Sequence, residues 1–204
     1  MNNNVEWEVL PLFSKPLAIS TIDDSISKQL KEICSQISWV SDDEETGTKG
    51  GWSESRNILD DYKEIKDYFS AFSSTCIKDI YKYFVDFQVT TSWFTITLPG
   101  GYARDHIHCN SWFSAVVYFD DYEEASNKLV LNQDPGNILI SNKEENIFNG
   151  HSLTISPKSN MIVLFPSQVR HHTTKNKSDK NRYCFAFNIM PVGLIGNGDS
   201  LFKY

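Results

Sequence analysis

Pro99-Gly100-Gly101-Tyr102-Ala103-Arg104-Asp105-His106-Ile107-His108 is the stretch on which the reading of this chain turns. A Pro-Gly-Gly turn ends one β-rich run, and a His-x-His pair follows before the next. Residues i and i+2 of a strand point to the same side, so both imidazoles can reach into one space and hold one metal ion. Asp105 faces the other way on a regular strand. The chain has five histidines, and two more stand together as His171-His172. They are the available source of a third ligand, and only one of two strand neighbours should point inward. The plain alternative is a polar strand face with surface histidines.

Outward from this stretch the sequence reads as strands. Residues 85–98 are rich in Val, Thr, Phe and Ile, as β-strands are. Further strands are expected at 103–108, 112–119, 128–131, 137–140, 152–155, 161–165 and 182–190. About eight short strands without intervening helices suggest an antiparallel sandwich or a double-stranded β-helix (a cupin-like jelly roll), not βαβ units. Helical periodicity is confined to the first 85 residues. Ile26, Leu30, Ile33 and Ile37 share one face, with Ser20 or Thr21 as cap and Asp23 and Asp24 in the first turn. A second helix is expected over about 61–83, burying Ile65, Phe69, Phe72, Cys76 and Ile80. The glycine-rich segment 46–53 reads as a loop. The expected fold class is therefore mainly β with N-terminal helices: one domain over 1–204, in which a helical part, 1–84, packs on a β core, 85–190.

Composition narrows the function. Aromatic residues make up 13% of the chain and charged residues 22%, which is a globular profile. A net charge of -7 argues against a general nucleic-acid binder. The acidic turn Asp42-Asp43-Glu44-Glu45 and the basic run 175–182 read as solvated loops, the second near the later histidines. Cys34, Cys76, Cys109 and Cys184 form no CxxC and no disulfide framework. The N-terminus lacks signal-peptide character, and no apolar run approaches membrane-spanning length. A soluble, cytoplasmic protein with no membrane partner is expected.

His-x-His after Gly-Gly is a metal signal. Zinc favours three or four such ligands. Non-haem Fe(II) takes two histidines and a carboxylate, or three histidines, and keeps positions open. Glu144 and Glu145 are candidate carboxylates in a segment expected to be a loop. Arg182 lies eleven residues beyond His171 and opens the last strong strand. It reads either as an edge salt bridge or as a fork for a carboxylate, since its planar donors meet both oxygens. Trp93, Trp112 and Phe113 read as core or pocket wall, and Asn110 as a residue lining the opening.

Taken in order, these pieces carry a resemblance: Trp93, the Pro-Gly-Gly-Tyr-Ala-Arg-Asp-His-Ile-His stretch, Ser-Trp-Phe-Ser-Ala-Val-Val-Tyr-Phe, Ile-Val-Leu-Phe-Pro-Ser-Gln-Val-Arg-His and Asn-Arg-Tyr-Cys-Phe-Ala-Phe-Asn-Ile. Over roughly residues 90–190 the chain resembles the 2-oxoglutarate/Fe(II)-dependent oxygenase superfamily. Within it, the chain is similar to oxygenases related in fold to prolyl 4-hydroxylases and found in bacteria and tailed phages of marine cyanobacteria. The resemblance implies Fe(II) on His106, His108 and His171, with Arg182 on the far carboxylate of the co-substrate 2-oxoglutarate. It implies a dioxygenase that consumes O2 and hydroxylates a small-molecule or peptide substrate, releasing succinate and CO2. The wider superfamily has His-x-Asp or His-x-Glu where His108 stands here. It often has a hydroxyl residue where Cys184 stands, and Tyr102, Tyr118 or Ser92 are candidates to replace that contact. Two other readings fit the histidines or the strands: a cupin-like three-histidine metalloenzyme that does not use 2-oxoglutarate, and a metal-free β-sandwich binding module.

Overall fold

The β-branched and aromatic residues that crowd the sequence after residue 85 go into strands, where such side chains pack well on a pleated surface. The computed structural model describes residue 10 and residues 14–41, 48–133, 143, 144, 146 and 148–204. In chain order the elements are β1 (Ala18–Thr21), α1 (Asp24–Cys34), β2 (Trp39–Ser41), β3 (Gly50–Ser53), α2 (Lys63–Tyr81), β4 (Asp86–Thr97) and β5 (Phe113–Tyr118). They continue as β6 (Leu129–Asn132), β7 (Ser152–Ile155), β8 (Met161–Pro166), β9 (His171–Thr173) and β10 (Arg182–Val192), then a short hairpin of β11 (Leu194–Ile195) and β12 (Phe202–Lys203). A seven-stranded sheet has the order β1-β8-β5-β10-β4-β3-β2, and a three-stranded sheet the order β7-β6-β9. All pairings are antiparallel. This is the mainly β, double-stranded β-helix architecture expected from the strand pattern.

Alternation along β10 assigns the two faces of the large sheet. Phe185, Phe187 and Ile189 join a core with Phe69 and Ile65 of α2 and Leu30 of α1. Cys184 turns the other way and packs with Tyr118, Val163 and Phe165 in a second core shared with Leu129 and Leu131 of the small sheet. Phe69 is fully buried and touches both Phe185 and Phe187, at ring-centroid distances of 5.9 and 4.9 Å. The helices thus cover one face of the large sheet, and the functional cavity lies on the other.

One irregularity changes which residues of β4 face that cavity. Phe187 pairs with Ser92 but Ile189 pairs with Val89, so β4 carries one extra residue at Thr90–Thr91. Such a bulge reverses the parity of every residue beyond it. Phe87 and Val89 face the helices before it, and Phe94 does so after it. Trp93, Thr95 and Thr97 consequently line the cavity.

Several expected elements differ. Segment 103–108 is not a strand; only His106 forms an isolated bridge, to His171. Gly50–Ser53, expected within a loop, is β3, paired with β4 on one side and β2 on the other. The N-cap of α1 is Asp23, and Ser20 and Thr21 lie in β1 instead. In α2 the buried face is Ile65, Phe69, Ser73, Ser74 and Ile77, while Ile80 is exposed and Phe72 and Cys76 are half-buried. The Ser74 hydroxyl accepts from the Phe87 amide, which draws small polar residues onto the face that packs on β4. The expected strand at 137–140 and the acidic turn lie outside the described residues. No helix among the described residues is long and apolar enough to cross a membrane.

Candidate metal centre

Two glycines let the 99–108 segment run close against its neighbours. Gly100 has φ +80°, a region open to glycine. At Gly101 a Cβ would collide with the carbonyl oxygens of Lys49 and Thr48. The packed segment is then stitched by backbone hydrogen bonds. Tyr102 N–H donates to Thr48 O at 2.8 Å, and Asn176 N–H to Gly101 O at 2.7 Å. His106 and His171 exchange N–H···O bonds of 2.9 Å in both directions, and His108 N–H reaches Ser167 O at 3.0 Å. The His-x-His pair and His171 therefore come from segments tied directly to each other.

The three imidazoles converge. One ring nitrogen from each of His106, His108 and His171 lies within 4.8 Å of the others, forming the only cluster of this kind among the described residues. His106 Nδ1 donates to Arg104 O at 2.7 Å, and His171 Nδ1 to Val169 O at 2.8 Å. His108 Nε2 faces His171 Nε2 at 3.3 Å, and the Asn188 side chain bonds the His108 ring. With Nδ1 of His106 and of His171 holding its proton against a carbonyl oxygen, Nε2 of each carries a lone pair. A cation between the rings draws the same lone pair from His108 Nε2; without one, an Nε2 proton on His108 satisfies His171 instead. Outer hydrogen bonds that fix tautomer and orientation in this way are characteristic of metal-binding histidines. The donor set fits a divalent metal with open positions, including Fe(II).

Electrostatics favour the neutral, ligating form. Burial, then the nearby His106, pushes the pKa of His108 down to about 4 and that of His171 down to about 3. The Trp93 ring stacks on His108 at 5.5 Å and Phe165 meets His171 edge-on at 4.8 Å, so apolar walls hold both rings. Asp105 takes no part. Its carboxylate pairs with Arg170 at 3.3 Å and accepts from Asn132 at 2.9 Å. His172 points to the same outer side, 3.1 Å from Asn132 and 3.7 Å from Asp105. The three-histidine set thus has no carboxylate among the described residues; Glu144 is exposed outside it, and Glu145 lies outside the described residues.

Arg182 lines the same cavity of about 650 Å³. It is 4% exposed, and no ion-pair partner for it occurs among the described residues. Its Nη1 donates to Cys184 Sγ at 3.0 Å, its guanidinium carbon sits 5.0 Å from the Tyr118 ring centroid, and its Nε has no partner. Tyr118 Oη is buried and also without a partner. Burial raises the Tyr118 phenol above its ordinary value, against the pull of Arg182, so it keeps its proton at neutral pH. A buried guanidinium without a counter-ion is costly, and together with a phenol donor it forms a receptor for a carboxylate.

The other expected site residues divide. Tyr102 and Tyr118 line the cavity. Ser92 does not: the bulge turns it to the opposite face, where its hydroxyl accepts from Leu59 N–H at 2.9 Å. Asn110 lines a separate hollow with Tyr81, Tyr83 and Trp112. Sequence reasoning missed Asn188, which spans Ser114, Thr91 and His108, and the pair Trp52 and Arg56 at the cavity mouth. Only the period-two alternation from Arg182 along β10 could have pointed to Asn188.

Residues 91–188, just under half of the chain, match the family model described as "Putative 2OG-Fe(II) oxygenase". No curated protein matches the chain. Among solved structures, a 2OG-Fe(II) oxygenase family oxidoreductase from Burkholderia pseudomallei has TM-score 0.63 at 9% identity, covering 85% of this chain and 83% of that one. A Pseudomonas putida prolyl-4-hydroxylase has TM-score 0.58 at 14% identity, covering 86% and 93%. HygX from Streptomyces hygroscopicus, solved with nickel, 2-oxoglutarate and hygromycin B, has TM-score 0.61 at 8% identity, covering 87% and 83%. At these identities the structures speak for the fold, and the sequence match speaks for the family. The strand-rich core of this chain, which carries the three histidines and Arg182, is thus similar in sequence to the 2OG-Fe(II) oxygenase family.

Proposed function

We propose that His106, His108 and His171 hold Fe(II) and that Arg182 holds the distal carboxylate of 2-oxoglutarate, in an oxygenase that hydroxylates a separate substrate. The carrying observation is that a convergent histidine triad and a buried, unpaired arginine line one cavity. When bound, iron and 2-oxoglutarate supply the oxidising chemistry: one oxygen atom of O2 goes to succinate with loss of CO2, the other to a C–H bond.

The chain's own residues orient and exclude. Arg104 O, Asn188 and Val169 O fix the three imidazoles so that Nε2 is presented. Trp93 and Phe165 brace two of the rings and keep bulk water from their faces. Arg182 supplies paired N–H donors and a charge at the closed end, and the Tyr118 hydroxyl adds a neutral donor beside it. Cys184 occupies one Arg182 nitrogen and Thr95 Oγ1 lies 2.9 Å from its sulfur, so the guanidinium is held in one orientation before the co-substrate arrives.

The test is anaerobic. Iron-loaded protein should develop the weak visible charge-transfer band of a chelated 2-oxo acid when 2-oxoglutarate is added. If no band forms at saturating iron and 2-oxoglutarate, the reading is wrong. A three-histidine enzyme of another kind would bind the iron and leave the spectrum unchanged.

A further inference from the structure

The cavity opens outward past the histidines to a rim that includes Trp52, Arg56, Tyr102 and Arg104. No aspartate or glutamate lines it among the described residues. That is notable in a chain with 26 acidic and 19 basic residues. Neither Arg56 nor Arg104 has an ion-pair partner among the described residues. Lys31, Lys63, Lys66, Lys78, Lys128, Arg170 and Lys180 each meet a carboxylate, while other surface lysines, among them Lys28, Lys82 and Lys158, meet none among the described residues; what sets Arg56 and Arg104 apart is that both line one cavity without a carboxylate in its wall.

With a divalent metal, three neutral imidazoles, a doubly charged 2-oxo diacid and Arg182 in place, the cavity already holds surplus positive charge. Arg56 and Arg104 add two more cationic groups to it. Like charges gathered in a partly desolvated cleft raise one another's energy, and an anion relieves them.

The two arginines are also placed, not merely present. The Arg56 guanidinium carbon lies 4.5 Å from the Trp52 ring centroid. Stacking in this way holds the planar group by its face and leaves its N–H edge free for a planar or tetrahedral oxyanion. Its backbone is pinned as well, since Arg56 O accepts from Ser92 N–H at 2.7 Å. Arg104 O receives the His106 Nδ1 proton, so the backbone that bears this side chain is fixed to a metal ligand.

We propose that the substrate oxidised here carries an oxyanion, a carboxylate or a phosphate, gripped at the cavity mouth by Arg56, backed by Trp52, and by Arg104. The proposal rests on the Fe(II)/2-oxoglutarate reading for the remainder of the site. The oxyanion fixes one end of the substrate at the rim while the bond to be oxidised reaches inward to the histidines.

Three probes of similar shape test it: phenyl phosphate, phenylacetate and neutral benzyl alcohol. Each is titrated by ligand-observed NMR into protein loaded with zinc, as a diamagnetic stand-in, and saturated with 2-oxoglutarate. At least one anionic probe should bind about tenfold or more tightly than benzyl alcohol, and the better of the two separates phosphate from carboxylate. Arg56→Gln and Arg104→Gln should each remove most of that preference, while exposed Lys63→Gln on α2 leaves it intact. Equal binding of charged and neutral probes, or no binding of any, overturns the proposal. So does an anion preference that survives both arginine substitutions, which would mark direct binding at the metal. Binding of 2-oxoglutarate is measured in the same samples. Its absence defeats the oxygenase reading, whereas its presence without anion preference defeats only this one.

Discussion

Arg182 and Cys184 lie on the same face of β10, with Nη1 3.0 Å from Sγ, and the thiol is further tied to Thr95 Oγ1 at 2.9 Å. The sulfur thus holds one end of the guanidinium while Nε stays without a partner in a buried site. Removing the arginine should weaken 2-oxoglutarate far more than iron. Arg182→Ala is expected to cost at least about tenfold, given roughly 1.5–3 kcal/mol for a charged hydrogen bond. Iron affinity in the absence of co-substrate should stay within about threefold. Anaerobic titration of the charge-transfer band against a direct iron titration separates the two. Cys184→Ser should bind 2-oxoglutarate at least as well as the native protein, because a hydroxyl is the better acceptor and donor in the same place.

His108 stands where relatives in the wider superfamily present a carboxylate. Its ring is stacked by Trp93, lies nearly parallel to the His171 ring at 5.1 Å with the two Nε2 atoms facing, and is bonded by Asn188. In the proposed ligand set His108 supplies one of three donors, and His108→Ala should lower bound iron to background after gel filtration. Asn188→Ala should be milder, with iron affinity falling about 10- to 100-fold as for other outer hydrogen-bond partners of metal ligands. Elemental analysis of both variants beside His172→Ala, which should retain full metal, checks this. Metal retained in His108→Ala would remove His108 from the ligand set.

Acid should destabilise the metal-free protein earlier than its carboxylates alone would. His108 and His171 are held at about 4 and about 3 by burial and by His106, against an ordinary value near 6.5. As pH falls below about 6.5, the unfolded chain takes up protons on these two residues and the folded chain does not. Stability therefore rises with pH across that window, is fully present above about 6.5, and is lost as pH falls through the folded values. Urea midpoints of metal-free protein should decline between about pH 7 and pH 5, and His171→Asn should flatten that slope. A midpoint constant over the window would show that the rings protonate freely in the fold.

The His-x-His motif, His171 and Arg182 were legible because each is tied to a strong local signal: a Gly-Gly turn, a Pro-Ser turn, the start of an apolar strand. Strand parity left one of His171 and His172 pointing inward and the resemblance chose His171; in the structure His172 lies on the outer side with Asp105. Ser92 was a candidate for the missing hydroxyl contact. The bulge at Thr90–Thr91 has no glycine or proline to announce it, and it turns Ser92 to the helical side of the sheet, where it accepts from Leu59 N–H. Segment 46–53 hid β3 because its glycines read as a loop. In fact Gly50 and Gly51 are small so that the carbonyls of Ile96 and Val40 can approach on either side. Trp52 escaped notice because it lies in that same unrecognised strand, and Arg56 because it follows the strand closely in the chain.

The loss of packing between helix and sheet should cost stability without touching the chemistry. Phe69 is fully buried on α2 against Phe185 and Phe187, on the face of β10 opposite Arg182 and Cys184. Phe69→Ala is expected to destabilise the protein by about 3–5 kcal/mol. In whatever fraction remains folded, iron and 2-oxoglutarate should bind with unchanged affinity. Chemical denaturation and the anaerobic titration, done on the same preparation, check both halves of the expectation.

Gly101 should couple stability and metal binding instead. A methyl group there would strike the carbonyl oxygens of Thr48 and Lys49, which are backbone atoms with no rotamer to escape into. The 99–108 segment must then move off β3, and it carries Arg104, His106 and His108 with it. Gly100→Ala is the control, since its φ of +80° imposes strain but the nearest atom to a new Cβ is a lysine side-chain carbon at 3.6 Å. The control should lose about 1 kcal/mol and keep its iron. Gly101→Ala should lose about 1–3 kcal/mol and, in addition, bind iron at least about tenfold more weakly, because displacement of two ligands is a positional fault that tighter folding conditions do not repair. Iron affinities measured well below the unfolding midpoint of each variant decide it: equal affinities would mean that the Gly101 contact only supports the fold and does not place the histidines.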